Sequence, residues 1–280
     1  MSKSKIQWTD VTDNPIRLET GGHWCKKISP GCAKCYAETA NQSDYFWWSS
    51  KLPYTGKAPD NLFLDEELLR SWSRMKKPKK HFVCSMTDWC GDWVPMEWQL
   101  KMLQSMSNAP SQTFQLLTKR SERFNATIKH LSDLKLDWAS HLSNVWFGVS
   151  VEDQKRADER IEVLAYTPAA IRFLSIEPLL GEIDLTSVEG IDRIHWVIVG
   201  GESGKGAREC YLEWIHRIVL DCQQLKIPVF VKQLGSNPMY MSHYQMVRFS
   251  EPAELKVKRK GGDWDDPAFP EHLKIREFPI

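Results

Sequence analysis

VWFGVSVEDQKRADERIEVLAYTPAAIRFLSIEPLL, residues 145–180, decides the fold class. It opens on a short apolar run, VWFGVSV (145–151), passes through DQKRADERIEVL (153–164), and ends on a second run, IRFLSI (171–176). Both runs are continuously apolar instead of alternating, and rich in Val, Ile and aromatics, as a strand buried on both faces reads. The middle segment is strongly charged on one side, the signature of a surface helix. Strand, helix and strand in that order, within about 30 residues, predict a βαβ unit with parallel strands.

The same order recurs on either side. HFVCSM (81–86), TFQLLT (113–118), IHWVIVGG (194–201) and IPVFVKQ (227–233) read as further buried strands. Helical signals fill most gaps. MEWQLKMLQSM (96–106) carries Trp98, Met102 and Met106 on one face, and YLEWIHRIVLDCQQL (211–225) carries Leu212, Ile215, Val219 and Cys222 on one stripe. SERFNATIKHL (121–131) opens on a Ser expected to cap its helix. Only the crossover between residues 176 and 194 lacks a helical pattern. Six strands, with a poorly marked seventh upstream of Cys25, predict an α/β fold: a parallel, partial TIM-type (β/α) barrel over residues 1–235. Residues 236–280 mix a basic run, a Gly-Gly turn and several prolines, and read as a C-terminal extension packed on the main domain.

Composition narrows the setting. Hydrophobic residues make up 42% and charged residues 26%, so the 280-residue chain can bury a substantial core. A formal net charge of +1 supplies no bulk drive toward nucleic acid or membranes, although local basic grooves remain compatible with it. No run reaches transmembrane length and the start, MSKSKIQWTD, lacks a signal peptide's apolar core, so the expectation is a cytoplasmic protein without membrane contact. In that compartment seven cysteines read as thiols or metal ligands before disulfides.

Polar residues crowd the ends of the predicted strands, where a parallel barrel places its active site. In order they are Ser85 and Asp88, then Lys119 and Arg120, Ser150 and Glu152, Glu177, Glu202, and finally Lys232 and Gln233. A lysine or glutamate abutting an apolar run must be paired or face a polar ligand. GGESGKG (200–206) lacks the Walker spacing, which excludes a nucleoside triphosphate loop of that kind; its glycines still let backbone approach a small ligand.

HWCKKISPGCAKCYAE (23–38) spaces Cys25, Cys32 and Cys35 as C-x6-C-x2-C. A structural zinc site needs a fourth ligand, for which His23, Cys84 or Cys90 would have to serve. A redox dithiol would use only the C-x2-C pair. A cubane iron–sulfur cluster takes four protein thiolates when fully ligated, so three would leave one iron open to a substrate or cofactor.

With the strand pattern, these segments resemble the radical S-adenosylmethionine (radical SAM) superfamily. SPGCAKCYAE, FQLLTKR, FGVSVEDQ, RFLSIEPLLG and VIVGGESG are similar to a phage- and bacterium-associated uncharacterised family near its spore photoproduct lyase branch, over about residues 6 to 235. The first cysteine gap is longer than the superfamily's C-x3-C-x2-C, and Lys34 stands where an aromatic residue usually precedes the last cysteine. The resemblance implies a 4Fe-4S cluster on Cys25, Cys32 and Cys35, with S-adenosylmethionine chelating the open iron. It implies that Lys119 pairs with the methionyl carboxylate and Ser150 bonds the ribose. Glu202, with Ser85 or Asp88, would face the amino group, and Glu177, Lys232 and Gln233 would lie near substrate or adenine. It further implies a 5′-deoxyadenosyl radical, an electron donor such as flavodoxin or ferredoxin, and nucleic acid or a nucleotide as substrate. Two other readings stand beside it. One is a zinc-stabilised nucleic-acid-binding protein using YFWW (45–48) and KKPKK (76–80); the other is a barrel enzyme with a redox-sensitive loop.

Overall fold

A computed structural model describes residues 2–134, 142–240, 253–254, 264–265 and 268–279. The chain forms a mixed α/β structure that divides into two compact units: Met1–Val149 with Tyr166–Arg172, and Ser150–Ala165 with Phe173–Ile280.

Unit 1 begins with β1 (Ser2–Lys3), β2 (Val11–Asp13) and β3 (Ile16–Leu18), then α1 (Tyr36–Gln42), β4 (Leu62–Leu64) and α2 (Glu66–Ser73). There follow β5 (Lys80–Val83), α3 (Met96–Ser107), β6 (Thr113–Thr118), α4 (Ser121–Asp133) and β7 (Val145–Ser150). Strands β2, β5, β6 and β7 are hydrogen-bonded neighbours in that order and run parallel; β1 adds an antiparallel edge. The weakly marked first strand is therefore β2, only three residues long. Its short run explains the weak signal, since period and propensity need length to show.

Large rings fill this unit. Trp8 lies 4.7 Å from Phe82, Trp72 4.8 Å from Phe114, and Phe124 5.1 Å from Phe147. One polar network is buried with them: Asp13 Oδ2 accepts from Trp72 Nε1 at 2.9 Å and meets His81 Nδ1 at 2.7 Å. Such a group is tolerated in a core because its Oδ2 is satisfied by two donors, although Oδ1 is buried without a partner among the described residues.

Ser121 is the first residue of α4 and Arg120 occupies the cap position without a side-chain cap, so the expected Ser cap is corrected. Thr118 Oγ1 instead accepts from Arg120 N at 2.9 Å, closing the turn one step earlier. The antiparallel pair β3–β4 went unread, because its strands are short and far apart in the chain.

Unit 2 holds α5 (Gln154–Ala165), β8 (Ile171–Ile176), β9 (Trp196–Gly200), β10 (Cys210–Tyr211), α6 (Leu212–Leu225) and β11 (Val229–Gln233). Strand β9 pairs in parallel with both β8 and β11. Between β8 and β9 lie only short 3-10 turns at Leu185–Ser187 and Ile191–Arg193, as the missing helical pattern predicts. Helix α6 buries Ile215, Ile218, Val219 and Cys222 on one stripe.

Past residue 235, β12 (Pro238–Tyr240) pairs with β10 and with β13 (Ala253–Glu254). The C-terminal residues return along β11, where Val231 N donates to Ile275 O at 2.9 Å and Phe278 stacks on Trp196 at 5.3 Å. The basic run KVKRK (256–260) lies outside the described residues. Among the described residues no helix is long and apolar enough to cross a membrane.

Candidate functional site

The cysteine loop of unit 1 is tied down from several directions. His23 N donates to Asn41 Oδ1 at 2.9 Å, Thr87 Oγ1 donates to Trp24 O at 2.7 Å, and Arg120 Nη2 donates to Lys26 O at 2.8 Å. Pro30–Cys32 form a 3-10 turn, and Cys35 caps the start of α1. Beneath the loop lies an apolar cluster of Ala37, Tyr54 and Met86, against which Cys25, Cys35, Ala40 and Trp48 pack. Tyr54 fixes that floor, donating through its hydroxyl to Met86 O at 2.7 Å and through its amide to Glu38 Oε1 at 2.9 Å.

Cys25, Cys32 and Cys35 are all free and half-buried, whereas Cys84, Cys90, Cys210 and Cys222 are buried. The three exposed-side thiols feel one another: Cys35 raises the pKa of Cys25, and Cys32 raises that of Cys35. Burial pushes the Cys25 thiol up to about 12, helped by Asp88 and opposed by Arg120. Burial also raises Cys35, while the amides of Ala37 and Glu38 and the charge of Lys119 pull the other way. Both are therefore neutral thiols near pH 7, and a soft metal binding there must displace their protons.

Asp88 organises the cationic side. Its carboxylate accepts from Thr118 Oγ1 at 2.7 Å, Lys119 N at 3.0 Å, Arg120 Nη1 at 2.9 Å and Cys90 N at 3.0 Å. Asp88 thus holds the end of β6 instead of projecting a free charge. Arg120, bonded to Asp88 and stacked over Trp93 at 4.7 Å, fastens the cysteine loop to that strand end. Lys119 is half-buried, and among the described residues its ammonium has no hydrogen-bond or carboxylate partner. Ser85 is engaged with Asn14, at 3.1 Å from Nδ2 and 3.3 Å from Oδ1.

The predicted residues of unit 2 form ion pairs of their own. Glu152 meets Arg160 at 3.0 Å with both side chains buried, and Arg160 also donates to Ser150 O at 2.7 Å. Glu202 is gripped by Arg208 through Nε at 3.0 Å, Nη2 at 2.5 Å and the backbone N at 2.9 Å. Glu177 Oε2 accepts from Lys232 Nζ at 2.6 Å, leaving Oε1 buried and without a partner among the described residues. Gln233 donates to Gly201 O and accepts from Gly235 N, which commits its whole amide to the turn after β11. Gly201 is required there, since a Cβ would come within 2.5 Å of Leu234 O.

The possible fourth zinc ligands are all buried. Cys84 and Cys90 are buried, and His23 Nδ1 faces Ile16 O at 3.0 Å. Among the described residues no set of three or more His, Cys, Asp or Glu side chains is gathered in a metal-holding arrangement. Sequence reasoning missed Tyr54, Arg160 and Arg208; each lies where no period or motif marks it, and each acts through a partner distant in sequence or across a turn.

Residues 3–267 match the model of the family described as "Protein of unknown function (DUF5131)", and the chain belongs to that family. Neither the curated proteins nor the solved structures contain a match to it.

Proposed function

We propose that this protein is a radical SAM enzyme whose 4Fe-4S cluster is held by Cys25, Cys32 and Cys35. One observation supports the reading: three free, half-buried thiols lie on one loop, Cys25 and Cys35 pack on a common apolar floor, and the Lys119 ammonium acts on Cys35. The donor chemistry fits, because soft thiolates on an apolar floor suit an iron–sulfur cluster and a nearby cation favours their ionised form. When bound, such a cluster supplies the electron that cleaves the sulfonium of S-adenosylmethionine, drawn from a donor such as flavodoxin or ferredoxin.

The chain's own residues then have distinct tasks. Lys119 binds the methionyl carboxylate, a charge-assisted contact worth about 1.5–3 kcal/mol. Asp88 and Arg120 position Lys119 and the cysteine loop, and Ser85 holds the adjacent turn. In unit 2, Ser150 is assigned to the ribose, and Glu177 Oε1 has no partner among the described residues; Glu202 is held by Arg208 and Gln233 by Gly201 and Gly235. Parallel strands alternating with helices support a partial TIM-type (β/α) barrel as the fold reading, in a cytoplasmic enzyme acting on nucleic acid or a nucleotide.

Anaerobic reconstitution followed by iron and sulfide analysis tests this. Wild type is expected to bind four irons and four sulfides per chain. The Cys25→Ala/Cys32→Ala/Cys35→Ala variant is expected to bind none. Full iron retention in that variant, or stoichiometric zinc in native protein, refutes the proposal.

A further inference from the structure

The loop that follows α1 presents aromatic rings to solvent in an unusual way. Trp47 is 95% exposed and Tyr45 87%; Phe46 between them is exposed as well, and only Trp48 is half-buried. Phe46 stacks on Trp48 at 5.0 Å, Tyr45 meets Phe46 edge-on at 5.2 Å, and Trp48 lies 5.8 Å from His23. Leaving two large rings in water forgoes the burial that stabilises rings such as Trp72, Trp89 and Trp196.

Their presentation is built. Ser49 N donates to Phe46 O at 3.0 Å, Lys51 N to Asn41 O at 2.9 Å, and Lys51 Nζ to Ser43 O at 2.7 Å. Asn41, fully buried, holds the base of the loop through Ser50 Oγ at 2.7 Å and Leu52 O at 3.0 Å. Trp48 packs on the same apolar cluster as Cys25 and Cys35, so the exposed rings and the thiols share one foundation. Tyr36, at the start of α1, is a third exposed ring at 57%, bonded through its hydroxyl to Ser85 O at 2.7 Å.

The surrounding chain is basic. Between residues 26 and 60 five lysines (26, 27, 34, 51 and 57) stand against three carboxylates, Glu38, Asp44 and Asp60. All three carboxylates are paired with lysines of the same segment, at 2.5 Å for Glu38 and Asp44 and 3.1 Å for Asp60. Exposed rings on a segment whose lysines outnumber its carboxylates by two combine the kinds of group by which proteins hold unpaired bases and their phosphates. A duplex hides its base faces, so stacking rings of this kind favour a single strand.

We propose that the Tyr45–Trp47 loop is a stacking platform for single-stranded nucleic acid. It stands on exposure, ring geometry and charge, and does not depend on the cluster reading. The test is fluorescence anisotropy of full-length protein with labelled oligo-dT and oligo-U. The same measurement is run on a duplex of equal length and on 30% phosphatidylserine vesicles. Wild type should bind the single strands in preference to the duplex, with affinity falling as salt rises. Trp47→Ala and Tyr45→Ala, at positions that carry no core packing, should each weaken binding by roughly five- to a hundred-fold, and Trp47→Phe should restore most of it. Unchanged binding in the Ala variants, or equal affinity for duplex, overturns the platform. So does ring-dependent binding to vesicles alone, or ring-dependent self-association in sedimentation. Repeating the assay on the triple cysteine variant separates the two proposals: strand binding without iron keeps the platform and isolates any failure in the cluster assignment.

Discussion

Two polar regions of this molecule follow opposite rules. In unit 2 each strand-end carboxylate has its own cation: Glu152 with Arg160, Glu202 with Arg208, Glu177 with Lys232. In unit 1 a single carboxylate, Asp88, takes four donors, and the same unit carries three half-buried thiols and the Lys119 ammonium, which has no hydrogen-bond or carboxylate partner among the described residues. Closed pairs rigidify, because desolvated charges satisfied by each other resist rearrangement. Uncommitted soft donors next to an unpaired cation are the opposite arrangement, and that is where ligand chemistry is expected. The contrast teaches that strand-end polarity alone does not mark a reactive site; the state of each group's partners does.

The comparison can be broken most severely at Arg160. Arg160→Met leaves Glu152 charged and buried, and should cost about 3–5 kcal/mol in chemical denaturation. Iron content of the folded fraction should not change, because the lesion lies in unit 2. A loss of iron in step with stability would show that the two regions are not functionally distinct.

Lys119→Ala should do the reverse. Folding stability should stay within about 0.5 kcal/mol of wild type, since no partner is lost. Affinity for S-adenosylmethionine should fall roughly ten- to hundred-fold in calorimetry on reconstituted protein. An unchanged dissociation constant removes Lys119 from the site.

Lys232→Met is expected to be milder, at about 1–2 kcal/mol, because Lys232 and Glu177 keep some access to water, with side chains 23% and 13% exposed. Restoring stability with the double change Lys232→Met/Glu177→Gln would show the pair to be structural. A double variant as unstable as the sum of its parts would give Glu177 a role beyond pairing.

The smallest effect at neutral pH concerns titration. Burial holds the Cys210 thiol up to about 12, whereas in the unfolded chain it titrates near 9. The folded protein keeps a proton that the unfolded chain releases, so this contribution is complete below pH 9 and is lost as pH rises toward 12. His23 acts on the other side. Burial holds it down to about 4, so its contribution is present above pH 6.5 and is lost as pH falls through 4. Denaturation midpoints of Cys210→Ala should decline less steeply than wild type above pH 9, and a parallel decline would reject the assignment.

The sequence by itself determined the strand and helix order of this protein. Strands such as Thr113–Thr118 and Ile171–Ile176 are mostly buried along their length, so apolar residues run together in them without strict alternation and their ends stand out against polar turns. It also determined which residue types stand at those ends, and the spacing of Cys25, Cys32 and Cys35. Only the tertiary structure decided which of those groups are already spent. Asp88, Glu202 and Gln233 read as available in one dimension, yet each is satisfied by donors or acceptors that local pattern does not reveal. The pairing of β3 with β4, the Tyr54 floor under the thiols and the outward turn of Trp47 are likewise tertiary facts. The reason is physical: periodicity records which face of an element meets the core, whereas hydrogen-bond and ion-pair partners are chosen by proximity in the folded chain.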